Sequence, residues 1–448
     1  MNMENNKIMD KFLMFAAKLQ GNRFMSAIKN AFTALLPLTI GGAFFTLILN
    51  VVLSTTTKGI SLAKLPGMDW LGQLSPIFNA ANYATMSIIT LGFVVLASIE
   101  LGRSHGRDEL GVPVIGLSSF IALIATTAVV TAPESKEVVQ VAGVIASKFT
   151  SATGLFLGMF ASMISIEIYS RLANSGKLEI RLPDSVPSNV VKSFNVLFPG
   201  IFTITFMAIL GFVFEQLVGY SIFDAITVFI QTPLQGVLTG LPGYIVIFMM
   251  TTILWMFGIH GTQVLGPIYT ASMLLALSEN TEAVLNNLPA PNILNRAFIS
   301  VFTIPTGAGI TGGLLIAILL FSKREDYRTI AKISTVPAVF NINETMSFGL
   351  PIVLNPIFAI PFILSPAVSA TIGYFLTKVG FATVLAYDVP WTTPPLLSAF
   401  LASGGHIPTV ITQAIAISAS ILIYIPFVLL ANKQMVMEEA LVEEKKEI

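Results

Sequence analysis

Residues 194–218 read FNVLFPGIFTITFMAILGFVFEQLV, a run in which Glu215 is the only charged side chain. A helix needs about 20 mostly apolar residues to cross the hydrocarbon core of a bilayer. This stretch meets that requirement with residues to spare. Working outward, comparable stretches fall at roughly 31–53, 84–101, 112–132, 152–170, 243–259, 297–321, 351–376 and 408–430. A further, shorter one at 264–278 (VLGPIYTASMLLALS) reads either as a tilted crossing or as a re-entrant piece. The pattern predicts an all-α integral membrane protein.

Composition agrees. The chain has 448 residues, 54% hydrophobic and 11% charged, against about 25% charged in an ordinary soluble domain. Mean hydropathy is +0.82. Net charge is zero, so no field exists to steer a nucleic acid, and no nucleic-acid partner is expected. The absence of cysteine excludes disulfides, thiolate metal sites and cysteine nucleophiles. No metal site and no cofactor are expected. A Walker-type Gly-Lys-Ser is also missing, which argues against nucleotide binding by that route. Met1 to Lys29 is mixed polar, with no apolar core followed by a small-residue cleavage site, so no removable signal peptide is expected.

Loop charge sets the orientation. Lys- and Arg-rich loops stay in the cytoplasm. Lys7, Lys11, Lys18, Arg23 and Lys29 place the N-terminus inside. Arg103 and Arg107 follow the second span; Arg171, Lys177, Arg181 and Lys192 follow the fourth. Both loops fall inside by parity. The cluster Lys323, Arg324, Arg328 and Lys332 does so only if 264–278 is a crossing. About ten transmembrane helices, with both termini cytoplasmic, is therefore the expectation. Lys58, Lys64, Lys136 and Lys148 fall on the wrong side, so the rule is obeyed imperfectly.

Three further segments do not read as crossings. Residues 223–239 (FDAITVFIQTPLQGVLT) are amphipathic and read as an interfacial helix. Residues 334–350 and 388–406 are interrupted by Pro, Gly, Asn and Asp. Such backbone cannot face lipid, so both are expected to be re-entrant hairpins buried by protein or lining a cavity. The chain then divides into an N-terminal half, 1–222, that packs and oligomerises, a connector at 223–242, and a C-terminal half, 243–448, that builds the site. No repeat relates the halves.

The chemistry concentrates in Gly258-Ile259-His260-Gly261 and Asn341-Ile342-Asn343-Glu344-Thr345. Ionisable groups at membrane depth are costly and mark functional sites. His260 lies between glycines that permit a sharp bend or close ligand approach. It is either a hydrogen-bonding group for a polar solute or a helix-end His paired to a carbonyl. Glu344 either joins Asn341 and Asn343 in presenting polar groups to one point, or pairs with the basic cluster at 323–332. Trp255 and Trp391 offer aromatic faces to a sugar ring or anchor an interface; Trp70 reads as interfacial. Asp388 either caps a hairpin or touches ligand. The group Arg103, His105, Arg107, Asp108 and Glu109 reads as a solvated loop, and Glu438 to Glu447 as a frayed helix end. A site of Trp, Asn, His and Glu without acidic rings or an Arg cage suits a neutral polyhydroxylated solute.

At Trp255…Gly258-Ile-His-Gly261 and Asn343-Glu344…Phe348-Gly-Leu-Pro351…Asn355-Pro356 the chain resembles the membrane (IIC) component of the bacterial phosphoenolpyruvate-dependent sugar phosphotransferase system. The resemblance is to the lactose/cellobiose/diacetylchitobiose family, nearest the diacetylchitobiose-type permeases, and covers essentially the whole chain. Thr345 departs from it, since many relatives carry Pro there. The resemblance implies a homodimer in the cytoplasmic membrane of a bacterium, joined through the N-terminal spans. It implies a C-terminal half that carries the sugar across. It also implies that His260 and Glu344 line the sugar pocket, with Glu344 near the hydroxyl to be phosphorylated. Asn343, Trp255, Trp391, Asn341, Gly261 and Asn82 are further expected substrate-binding positions. A IIB subunit delivers the phosphoryl group from a cysteine. Because this chain has none, that donor is expected in trans. The competing expectation is a proton- or sodium-coupled disaccharide permease, in which His260 and Glu344 form a proton relay.

Overall fold

The computed structural model describes residues 21–57, 61–131, 138–178, 187–350 and 355–444, with a few isolated positions besides. Lys7, Lys11, Lys58, Lys136, Arg181 and Pro351 lie outside the described residues. The chain forms two compact units: residues 1–42 with 80–234, and residues 43–79 with 235–448.

The first unit is a helical bundle with a β-hairpin. Arg23–Ala34 starts at Asn22, whose side chain accepts hydrogen bonds from the Phe24 and Met25 amides, satisfying two donors that a helix start leaves open. Ile89–Ser104 packs against it, and Gly111–Ile121, Leu155–Asn174 and Ser188–Val218 complete the bundle by packing on Ile89–Ser104 and on one another. Their core includes Leu101, Val112, Ile115, Ile166 and the fully buried Tyr169. Small residues let the backbones approach, as expected where lipid supplies no hydrophobic drive between helices. A Cβ on Gly116 would lie 2.0 Å from Ser98 Oγ.

The second unit carries the helices Leu241–Met256, Gly261–Leu285, Thr311–Phe321, Glu325–Val339, Glu344–Gly349, Pro356–Lys378, Leu397–Ala402 and Ile407–Glu444. Asn355 caps Pro356–Lys378 by accepting from the Ile357 amide at 2.9 Å, and Pro356 sits in the first turn, where its missing N–H costs nothing. Trp255, Leu314, Ile318, Met346, Leu350, Phe358, Phe362 and Tyr424 share one buried cluster.

Among the described residues, seven helices are long and apolar enough to cross a bilayer, or eight if the pair Ile222–Leu238 and Leu241–Met256, bent by 80°, counts as one. The expected span at 112–132 is corrected. The helix stops at Ile121, and Thr127–Thr131 pairs antiparallel with Val138–Ala142. Eleven residues reach only about 16 Å, half the hydrocarbon thickness. The run Thr126-Thr127-Ala-Val-Val-Thr131 is β-branched and favours the pleated form. The expected span at 297–321 is interrupted. Arg296–Phe298 and a π-turn at Ile299–Thr303 precede an irregular stretch before Thr311–Phe321 begins. At 334–350, helix Glu325–Val339 ends, 340–343 are non-helical, and Glu344–Gly349 follows.

Candidate functional site

The site is built where two helices of the second unit meet. Leu241–Met256 closes with the Ile259 amide on the Leu254 carbonyl (3.1 Å) and the Gly258 amide on the Trp255 carbonyl (3.0 Å). Gly258 has φ +73°. This is a Schellman closure, in which the left-handed position strongly favours glycine. His260 then sits at the cap position of Gly261–Leu285. Gly261 serves a close approach of two backbones: a Cβ there would lie 1.9 Å from the Thr251 carbonyl oxygen.

This turn folds His260 back over the helix it has just left. Its ring centroid is 4.3 Å from that of Trp255. Its Nδ1 is 3.0 Å from Thr262 Oγ1. The Trp255 ring is 4% exposed, and its buried indole N–H has no hydrogen-bond partner among the described residues. Trp255 also meets Phe348 at 6.3 Å between centroids, so the Glu344–Gly349 helix joins the same site. Phe348 is 59% exposed.

Glu344 stands in the first turn of that short helix, exposed. No ion pair to the 323–332 cluster holds it among the described residues. Arg324 pairs with Asp326 at 3.0 Å and lies over the Tyr327 ring. Its hydrogen bond holds the Asp326 carboxyl below the ordinary range. Arg328 donates to the carbonyls of Leu319 and Ser322.

Asn341 and Asn343 are buried and occupied. Asn341 Oδ1 accepts from the Thr306 amide at 2.7 Å. Its Nδ2 donates to the carbonyls of Trp391 and, at 3.0 Å, Thr393. Asn343 Nδ2 donates to the Ala308 carbonyl (3.3 Å) and Ser347 Oγ (3.1 Å). Both amides therefore tie the Glu344 segment to the broken stretch 304–310. There Thr306, Gly307, Gly309 and Ile310 all have positive φ, which is strained for the β-branched pair. A Cβ on Gly307 would reach 2.7 Å from Asn343 Cβ. Trp391 is 48% exposed, with its backbone fixed by Asn341. Asp388 is nearly buried; its carboxylate lies 3.9 Å from Nε of the part-exposed Arg296 and accepts from the Val389 amide at 3.1 Å.

Asn82 lies in the other unit, donating to the Gly42 carbonyl at 3.1 Å. The expected solvated loop at 103–109 is instead tied to the Leu155–Asn174 helix. Glu167 receives Arg23, His105 and Arg171 at 2.8, 3.0 and 2.7 Å.

The sequence reading passed over Thr306-Gly307-Ala308-Gly309 and Phe348 as parts of the site's frame. Pro305 with two nearby glycines in an apolar run was the available signal. What the arrangement offers is one open carboxylate, an imidazole, a buried unpaired indole N–H and two exposed aromatic faces. These suit hydrogen bonding to, and stacking on, a neutral hydroxylated solute.

Comparison with known proteins agrees. Residues 29–366 match the family model for the phosphotransferase system, EIIC. The lichenan permease IIC component of Bacillus subtilis is 30% identical over 440 residues, covering 98% of this chain and 96% of that protein. The lactose-specific EIICB component of Streptococcus mutans is 28% identical over 434 residues, covering 95% of this chain and 72% of that one. The crystal structure of the transporter ChbC, the IIC component from the N,N'-diacetylchitobiose-specific phosphotransferase system, aligns at a TM-score of 0.87 and 30% identity, covering 96% of this chain and 98% of that one. The chain belongs to the EIIC family of the phosphotransferase system, the sugar-specific components that cross the membrane many times.

Proposed function

We propose that this chain binds a neutral β-linked disaccharide, N,N'-diacetylchitobiose first among them, and presents it for phosphorylation by a separate phosphorylated IIB subunit during uptake. The observation that carries this is the exposed Glu344 carboxylate, unpaired among the described residues, on a helix packed against the tilted Trp255–His260 ring pair. The likeness to ChbC supports the choice of sugar; cellobiose and lactose are the alternatives within the family.

In the proposed reaction the sugar's C6 hydroxyl donates to Glu344. As the hydroxyl oxygen forms its bond to phosphorus, the sulfur–phosphorus bond of the IIB phosphocysteine breaks and the hydroxyl proton passes to the carboxylate, which acts as general base. His260 fixes the sugar's orientation, Trp391 and Phe348 cover ring faces, and the Trp255 N–H gains an acceptor. The cysteine that carries the phosphoryl group lies outside these 448 residues, which contain none. Re-entrant segments at 334–350 and 388–406 and cytoplasmic termini complete the reading. So does a homodimer formed through the first unit. The poorly covered Phe194–Val218 helix, 22% buried, is consistent with contact to lipid or to a second copy.

The test is Glu344→Gln with the cognate phosphorylated IIB. Binding of labelled diacetylchitobiose persists, while phosphorylation falls about 10²–10⁴-fold, the usual contribution of a general base. A Gln variant that phosphorylates at the wild-type rate removes the general-base role. Competition by cellobiose alone keeps the mechanism and changes the sugar.

A further inference from the structure

Arg23 and Arg171 meet at one end of the first unit, held by a single carboxylate. Glu167 Oε1 accepts from Arg171 Nε at 2.7 Å, and Glu167 Oε2 accepts from Arg23 Nη2 at 2.8 Å. His105 Nε2 lies 3.0 Å from the same Oε2. Among the described residues each guanidinium spends one donor this way, and a guanidinium carries several more. Arg171 is 75% exposed and Arg23 is 42% exposed, so the remaining donors are accessible. One carboxylate between two guanidiniums leaves a surplus positive charge. The neighbouring Arg103 and Arg107 add none, because Glu100 and Glu109 match them one to one.

Beside the two arginines runs a groove of about 220 Å³, lined by Phe24, Met163, Ile164, Glu167 and Ile168. Glu167 is the one polar residue in that lining. The groove follows from helix spacing. Between 155 and 170 every residue is buried except Phe160, Met163, Ile164, Glu167 and Ile168, which form a stripe on one helix face. The helices Arg23–Ala34 and Leu155–Asn174 each pack on Ile89–Ser104, and the groove is the gap left between them.

The order of these groups along the helix selects the ligand. Ala152–Asn174 is long and apolar enough to cross a bilayer, which puts Arg171 near one end of the crossing. Ile168 and Ile164 then lie roughly 5 and 10 Å deeper along the helix axis. A phosphate at the arginines with a hydrocarbon chain below matches that order. The groove is smaller than the roughly 300–1,000 Å³ of a site for a compact small molecule, whereas a segment of acyl chain fits it. Guanidinium pairs with phosphate through charge-assisted hydrogen bonds, and basic pockets between transmembrane helices hold anionic lipid headgroups. Arg23, His105 and Arg171 are brought to one end by their shared bonds to Glu167, independently of any count of crossings.

We propose that this groove binds one anionic glycerophospholipid, its phosphate on Arg23 and Arg171 and one acyl chain along Ile168, Ile164 and Met163. The lipid straps the start of Arg23–Ala34 to the end of Leu155–Asn174 and fills the gap between them. The arginines select for negative charge, and the apolar stripe binds the chain of any phospholipid.

The test is lipid titration of purified, delipidated full-length protein in detergent, with bound lipid per chain read by native mass spectrometry. The probes are phosphatidylglycerol, which is anionic, and phosphatidylcholine, which is zwitterionic. Wild type should prefer phosphatidylglycerol about fivefold, the effect of one surplus charge at the membrane surface. Arg171→Ala and Arg23→Ala should each abolish the preference, and Arg171→Lys should restore it. Arg171→Ala should keep the wild-type melting temperature without lipid, which separates lost binding from lost fold. Ile164→Trp, whose ring fills the groove, should weaken both lipids. Equal affinity for the two lipids in wild type, or a preference kept in both alanine variants, overturns the proposal. Displacement of bound phosphatidylglycerol by an equal concentration of inorganic phosphate assigns the arginines to a free anion and overturns it too. Undiminished lipid binding in Ile164→Trp also overturns it, and a changed oligomeric state in that variant assigns the stripe to a second copy of the chain instead.

Discussion

Replacing Asn341 by Ala separates a clamp from a ligand group. The Asn341 amide accepts from the Thr306 N–H and donates to the Trp391 and Thr393 carbonyls, and the residue itself holds φ +61°. Truncation orphans a buried N–H, at about 1–3 kcal/mol, and removes two further bonds at about 0.5–1.5 kcal/mol each. Alanine in the left-handed region adds roughly 1–2 kcal/mol. The total is roughly 3–8 kcal/mol, a large part of the 5–15 kcal/mol typical of a folded protein. Asn341→Gly keeps the backbone freedom and loses only the amide, so it should sit roughly 1–2 kcal/mol above Ala. The assay is thermal melting of detergent-purified protein followed by tryptophan fluorescence, since Trp391 lies on the clamped segment, with sugar binding measured in parallel below the melt. The expected order of melting temperature is wild type, then Gly, then Ala. An Ala variant that melts with wild type yet binds no sugar would refute the clamp and return Asn341 to the ligand.

Gly261→Ala places a methyl 1.9 Å from the Thr251 carbonyl oxygen. The two helices must part by about 1 Å or more to relieve the overlap, which also moves His260 from Trp255; overpacking of this kind costs about 1–3 kcal/mol. Sugar affinity should fall at least tenfold, and wild-type affinity in the variant would show that the turn tolerates the methyl. In the first unit, Arg171 is 75% exposed in its pair with Glu167, so Arg171→Ala should change stability by less than about 1 kcal/mol. Glu167→Ala removes the shared partner of Arg23, His105 and Arg171 and should lower the melting temperature more than any single cation variant. Equal effects from Glu167→Ala and Arg171→Ala would mean the network is not shared.

The sequence by itself determined that this is a helical membrane protein, because apolar length is read directly from the chain and a bilayer imposes one length on every crossing. It also determined the turn at 258–261, since a left-handed closure and a close backbone approach both demand glycine, and those demands are local. The motif around Glu344 was legible too, and it carried the family resemblance that the comparisons established over residues 29–366. What hydropathy could not supply was where an apolar run stops being helical. Residues 112–132 and 297–321 are greasy throughout, yet one turns into a hairpin and the other breaks at 304–310. Besides local turn bonds, Asn341, Asn343 and Tyr424, from distant parts of the chain, bond the backbone of the break. The same holds for the side-chain roles. Asn341 and Asn343 look identical to ligand groups in sequence, and only their partners assign their amides to the frame. Asp388 acquires Arg296 from the far side of the helices Thr311–Phe321 to Pro356–Lys378 in the chain, and residues 43–79 group with the C-terminal unit. Hydrogen bonds and burial between segments far apart in the chain leave no periodic mark on either one, so tertiary packing alone decides them.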